Sequence, residues 1–139
     1  MDVKILLDTN AYVGFKRNHT ETIDTICRAA LILFSPIVLG ELMFGFRNGT
    51  RFEKNMAELN RFLAHEAVEL ALIGDITADR YARIAARLKQ CATPIPGNDI
   101  WIAAQTMEHG AELISSDRHF EKIEGLVFSK MDSPRADCG

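Results

Sequence analysis

Five short apolar-rich runs set the limits on what this chain can fold into: VKILLD (3–8), LILFS (31–35), AVELA (67–71), AELIS (111–115) and LVFS (126–129). Each has the length of a strand and is too short for a buried helix. Helical periodicity fills the intervals, from about Ala11 and over 20–30, 36–48, 51–65, 76–91 and 99–109. Strands that alternate with helices predict an α/β fold with a central, mostly parallel sheet covered by helices on both faces. A length of 139 residues suits one such domain, expected over 1–132, and SPRADCG (133–139) has no apolar period and is expected to fray.

In an open α/β sheet, functional groups gather beyond the carboxyl ends of the strands, near a switch in strand order. Asp8 closes the first apolar run, and Asp117 stands two residues beyond the fourth. Asp99 is expected to open a helix after the rigid turn TPIPG, with Asn98 as its cap in preference to a polar group beside the site. Glu41 lies just over one turn into the helix that follows LFSP. Four acids from four segments are therefore candidates for one site.

Each aspartate has a structural alternative as a helix cap or as a partner of a helix dipole. Glu41 has none of that kind. It is too deep in its helix to cap it, and it is the one ionisable residue between Phe34 and Phe46. Its helical neighbours Ile37, Val38, Phe44 and Gly45 offer no positive partner, so the alternative is a buried bridge to an arginine from elsewhere. If all four acids converge, the repulsion is large: two carboxylates ~5 Å apart repel by roughly 3 kcal/mol at an effective dielectric near 20. Six such pairs would rival the ~5–15 kcal/mol that stabilises a whole domain. Such a cluster must take up protons or bind a hard cation, and an all-oxygen set favours Mg²⁺ or Mn²⁺ over zinc. A carboxylate-held divalent ion suits phosphodiester hydrolysis, because it activates water and stabilises the attacking and leaving oxygens.

Around these acids the sequence resembles the PIN-domain ribonucleases, in particular the compact VapC-type toxins of toxin–antitoxin pairs. The resemblance spans about residues 3 to 128. LLDTN (6–10) is similar to the family's opening strand, and SPIVLGELMFG (35–45) to its Ser-x-x-x-x-x-Glu-Leu-x-x-Gly helix. PIPGNDIWIAAQTMEHGAELISSDRHF (94–120) is similar to the closing signature, in which Asp-x-x-Ile-Ala-Ala leads to (Thr/Ser)-x-Asp-x-x-Phe. The resemblance implies a catalytic and metal-binding quartet of Asp8, Glu41, Asp99 and Asp117. It also implies that Thr9 and Asn10 support the first acid and that Ser115 holds a place often taken by Thr. The family pattern gives His119 no fixed role, and it stays outside the expected catalytic set. The implied activity is a Mg²⁺- or Mn²⁺-dependent endoribonuclease acting on a structured RNA such as tRNA. The implied partners are a cognate protein antitoxin and a second copy of the chain, received by apolar surface on IVLGELMFGF and the segment after it.

RNA must still reach an acidic site. Arg17, Arg47 and Arg118, with Lys16, lie nearest the proposed edge and are the candidates for phosphate contact. Arg80, Arg83 and Arg87 form a stripe on a helix whose buried face is marked by Ile76, Ile84 and Leu88, and such a stripe is more commonly a solvated face. The net charge of −3 argues against binding through bulk positive charge. Three widely spaced cysteines support neither a disulfide framework nor a zinc site, and no apolar stretch reaches the length of a membrane span, so a cytoplasmic protein is expected. Other readings are a housekeeping RNA-processing nuclease, a phosphotransferase with Asp8 as nucleophile, and a receiver-like or scaffold domain. The phosphotransferase pattern wants a second Asp where Asn10 stands, and the receiver pattern wants paired acids and a late lysine that are not visible.

Overall fold

A computed structural model describes residues 3–132, and the expected tail at 133–139 lies outside them. Five strands form one sheet: β1 (Lys4–Leu7), β2 (Leu31–Phe34), β3 (Val68–Leu70), β4 (Glu112–Ser115) and β5 (Phe128–Lys130). Their order is β3-β2-β1-β4-β5 and every pairing is parallel. The helices are α1 (Thr9–Lys16), α2 (Thr20–Arg28), α3 (Pro36–Asn48), α4 (Phe52–Leu63), α5 (Asp75–Gln90) and α6 (Gly97–Glu108), with a 3₁₀ turn over Arg118–Lys122. The expected α/β architecture is thus present.

The three central strands are buried almost throughout, which is why they read as unbroken apolar runs instead of alternating ones. Leu6 pairs in register with Leu33 on one side and Leu113 on the other. Around Phe34, the rings of Tyr12 and Phe62 pack edge-on with centroids 5.8 and 5.6 Å away. The edge strands β3 and β5 are mostly exposed or half-buried, as their mixed composition requires.

Local chemistry sets where the helices begin. Ser35 accepts a hydrogen bond from the Ile37 amide at 3.0 Å and Pro36 occupies the first turn, so α3 starts immediately after β2. The start of α6 differs from expectation. Pro96 holds an extended backbone and its carbonyl accepts from the amides of Asp99 (3.1 Å) and Ile100 (3.2 Å), so the helix opens at Gly97. Asn98 is therefore inside the first turn and is not the cap. Ile76 departs as well: it is 60% exposed, and Thr77 takes the buried position beside Ile84 and Leu88 on α5. The hydroxyl of Thr77 accepts from the Gly74 amide and donates to Glu108 on α6, which fixes the helix rotation with Thr77 inward.

The strand order places β1 between β2 and β4: the chain winds outward from β1 through β2 to β3, then crosses back over the sheet to β4 on the other side of β1. This switch point opens a crevice beyond the carboxyl ends of β1 and β4. Asp8 and Ser115 are brought to it from opposite ends of the sequence.

Candidate active site

Asp8 follows the last residue of β1 and is 5% exposed. Its backbone stays in the sheet ladder, with the amide donating to the Ile114 carbonyl at 3.0 Å. The side chain caps α1: one oxygen accepts from the Thr9 amide at 2.8 Å, the other from the Ser115 hydroxyl at 2.7 Å and the Asn10 amide group at 3.4 Å. Asn10 also accepts from the Ser116 amide at 2.9 Å, and Ser115 Oγ accepts from the Asp117 amide at 3.0 Å. Capping and site membership are thus compatible, since the capping bonds leave the carboxylate fixed at the mouth of the crevice.

Asp99, 9% exposed, sits in the first turn of α6, where the helix dipole favours its charge. Asp117 caps the 3₁₀ turn by accepting from the His119 amide at 2.9 Å. Glu41, half-buried on α3, accepts from the Thr9 hydroxyl at 2.5 Å and from Asn98 at 3.4 Å. Among the described residues no Lys, Arg or His forms an ion pair with Glu41, so the arginine bridge is absent. The apolar residues around Glu41 are not its burial: Phe44 is 69% exposed, and Val38 and Leu42 alone on α3 are fully inside. The most buried acid is Asp8.

All four acids line one cleft of about 550 Å³, together with Thr9, Asn10, Arg17 and Phe44. Burial raises the Asp8 carboxyl to about 6, opposed by the Ser115 and Thr9 hydrogen bonds and assisted by the charges of Asp99 and Glu41. Asp99 is also raised, first by burial, with a hydrogen bond from His119 opposing and the charges of Asp117 and Glu41 adding. Ser115→Ala removes the shortest donor to Asp8 and the acceptor of the Asp117 amide. Stability above pH 7 is expected to fall by roughly 1–3 kcal/mol in urea titrations, with the Asp8 pKa moving above 6 by NMR; Ser115→Thr, which keeps the hydroxyl, should leave that pKa in place.

Of the expected phosphate contacts, Arg17 alone lines this cleft. Arg47 lies over the Phe52 ring, 4.4 Å from its centroid, and Arg118 is exposed on the 3₁₀ turn outside the cleft lining. Lys16 faces Glu58 at 3.8 Å. Arg80, Arg83 and Arg87 line a different groove, of about 330 Å³, and Arg83 and Arg87 are paired there with Asp79 and Glu124. Two residues outside the expected acid quartet also reach it. Asn98 reaches Glu41 because α6 starts early, and His119 places Nδ1 3.1 Å from Asp99 and 3.0 Å from Asp117. The Asp-x-His spacing was the available signal: a capping Asp brings the side chain two residues on toward itself.

Asp99, Asp117 and His119 offer ligand atoms within 4.8 Å of one another, a donor set that a divalent cation fits. The chain and its fold have counterparts in known proteins. The chain is 26% identical over 86 residues to ribonuclease VapC4 of Mycobacterium tuberculosis, which covers 62% of this chain and 66% of that protein. It is 25% identical over 126 residues to ribonuclease VapC1 of Haemophilus influenzae, covering 87% of this chain and 92% of that one. The fold superposes with a TM-score of 0.83 and 25% identity on a chain of VapBC2 from Rickettsia felis, crystallised with a DNA fragment from its promoter, over 94% of this chain and 100% of that one. The model of the PIN domain matches residues 5–126, from the first buried residue of β1 to the approach to β5. With the sheet order, the acid-lined switch point and that match in agreement, this chain belongs to the PIN-domain family.

Proposed function

We propose that this chain is a divalent-metal-dependent endoribonuclease, the toxin of a toxin–antitoxin pair, with Asp8, Glu41, Asp99 and Asp117 as its catalytic acids. The observation that carries the reading is the convergence of four carboxylates from four segments on one cleft at the topological switch point. Such a cleft repels the phosphates of RNA unless its charge is neutralised. Asp99 and Asp117 would hold Mg²⁺ or Mn²⁺, with Asp8 and Glu41 beside them. When bound, the ion supplies an activated water and charge stabilisation for an in-line displacement at phosphorus.

The chain's own residues hold this constellation still. Ser115, Thr9 and Asn10 fix the two Asp8 oxygens; Thr9 also fixes Glu41, which couples the start of α1 to α3. Asn98 holds the other Glu41 oxygen from α6. Arg17, exposed at the cleft, is positioned to contact a substrate phosphate. Arg17→Ala is expected to raise KM with kcat unchanged and to reduce the slope of log affinity against log salt by about 1; an unaltered salt slope would remove Arg17 from the RNA path.

The relatives bear ribonuclease names, and the solved likeness is a VapBC assembly on promoter DNA, which supports RNA as substrate and a protein antitoxin as partner. The exposed apolar side of α3, with Phe44 at 69% exposure, suits the antitoxin or a second subunit. No helix among the described residues is long and apolar enough to cross a membrane, and a cytoplasmic location among RNA substrates is part of this proposal. The test is incubation of the purified chain with structured RNA such as tRNA, with Mg²⁺ or Mn²⁺ and with a chelator. Cleavage that needs the ion and leaves 5′-phosphate and 3′-hydroxyl ends is expected; chelator-resistant cleavage or a trapped phospho-aspartate would defeat it.

A further inference from the structure

His119 has no task in the reading above, although it stands inside the acid cluster. Its Nδ1 lies 3.1 Å from Asp99 Oδ2 and 3.0 Å from Asp117 Oδ1. The ring is held there from both sides in sequence. Its own amide donates to Asp117 at 2.9 Å, and the next residue, Phe120, is 1% exposed and anchors the 3₁₀ turn in the core.

A hydrogen bond accounts for only half of this arrangement. Nδ1 carries at most one hydrogen, and one hydrogen cannot serve two carboxylates at full strength. A cation among the three atoms serves all of them. Around an octahedral ion with ligands near 2.1 Å, neighbouring ligand atoms stand about 3.0 Å apart, and that is the separation from Nδ1 to each carboxylate oxygen.

We propose that His119 is a nitrogen ligand of the metal centre and biases it away from Mg²⁺ toward first-row transition ions such as Mn²⁺ and Co²⁺. The proposal rests on the metal-dependent reading of the same cleft. Its chemistry is one of donor type: Mg²⁺ is satisfied by oxygen and water, whereas an imidazole nitrogen gains affinity along the transition series. The sequence, read as an all-oxygen quartet, gives no reason for such a bias.

The test is calorimetric titration of the full chain with MgCl₂, MnCl₂ and CoCl₂, comparing wild type, H119A and H119D. His119 is 44% exposed in its side chain, so neither change removes core packing. H119A is expected to weaken Mn²⁺ and Co²⁺ binding about tenfold or more, Co²⁺ most, and Mg²⁺ by less than about threefold. H119D, which supplies oxygen in place of nitrogen, should recover Mg²⁺ affinity without recovering Co²⁺. Pulsed EPR of bound Mn²⁺ should show a nitrogen coupling in wild type that H119A abolishes. Equal losses for the three ions, or no nitrogen coupling in wild type, would overturn the proposal for His119. Asp99→Asn binding all three ions like wild type would instead defeat the metal-dependent reading itself.

Discussion

Asp99→Asn is expected to lower metal-dependent RNA cleavage by about 10²–10³-fold or more, in kcat, while the protein stays folded. The amide has nearly the volume of the carboxyl, so the first turn of α6 keeps its packing. What is lost is one unit of negative charge at a position where His119 and Asp117 offer the other donors of a cation site. The same charge is a liability in the metal-free protein. Asp99 is 9% exposed, and burial and the charges of Asp117 and Glu41 all act against its ionised form. Removing it should therefore leave the urea midpoint at neutral pH unchanged or higher. Glu41→Gln should behave alike, because the glutamine oxygen can still accept from the Thr9 hydroxyl. Cleavage that survives either substitution would sink the site assignment; a mutant that unfolds would show that the acid is a structural group.

The second large effect is a stability that falls as pH rises through the acid range. Asp8 titrates near 6 in the folded chain against 3.8 for the free side chain. Between those values the native state holds a proton that the unfolded state has released, so raising the pH favours unfolding. The full loss, reached above pH 6, is on the order of 3 kcal/mol. Asp99 is shifted in the same direction and adds to the slope. Other carboxylates titrate in this window too, so the quantity to measure is the difference between wild type and Asp8→Asn in urea titrations from pH 4 to pH 8. That difference should grow with pH in favour of the variant, and Mg²⁺ or Mn²⁺ should restore the wild type above pH 6. A flat difference would mean that the Asp8 carboxylate is already compensated within the protein.

Much of this could be read along the chain, because the relevant signals are local. KILL, LILF and ELIS are strands wherever a parallel sheet buries them on both faces, and Ser35-Pro36 starts a helix by its own chemistry. Departures occur where a side chain's place depends on another element. Asn98 reads as a cap in sequence, but Pro96 performs the helix start and leaves Asn98 free to reach Glu41 on α3. Ile76 fits the apolar period of α5, yet the Thr77–Glu108 contact turns the helix so that Ile76 faces outward. Arg47 and Arg118 were near the right edge in sequence terms, while the cleft itself admits Arg17 alone of the three.

The sequence by itself determined the elements and their succession along the chain and marked four acids as candidates, since apolar periodicity and the residues that end a strand or begin a helix act over a few positions. Only the tertiary structure decided which acid bears the burial. Glu41 looked buried because its neighbours are apolar, but those neighbours form a helix surface, and the buried carboxylate is Asp8, enclosed where β1 lies between β2 and β4. The structure also decided that a nitrogen joins the oxygens, because the Asp117 cap folds the chain back and turns His119 toward Asp99, twenty positions away. Strand order and side-chain reach between elements are properties of the packed chain, and no local pattern encodes them.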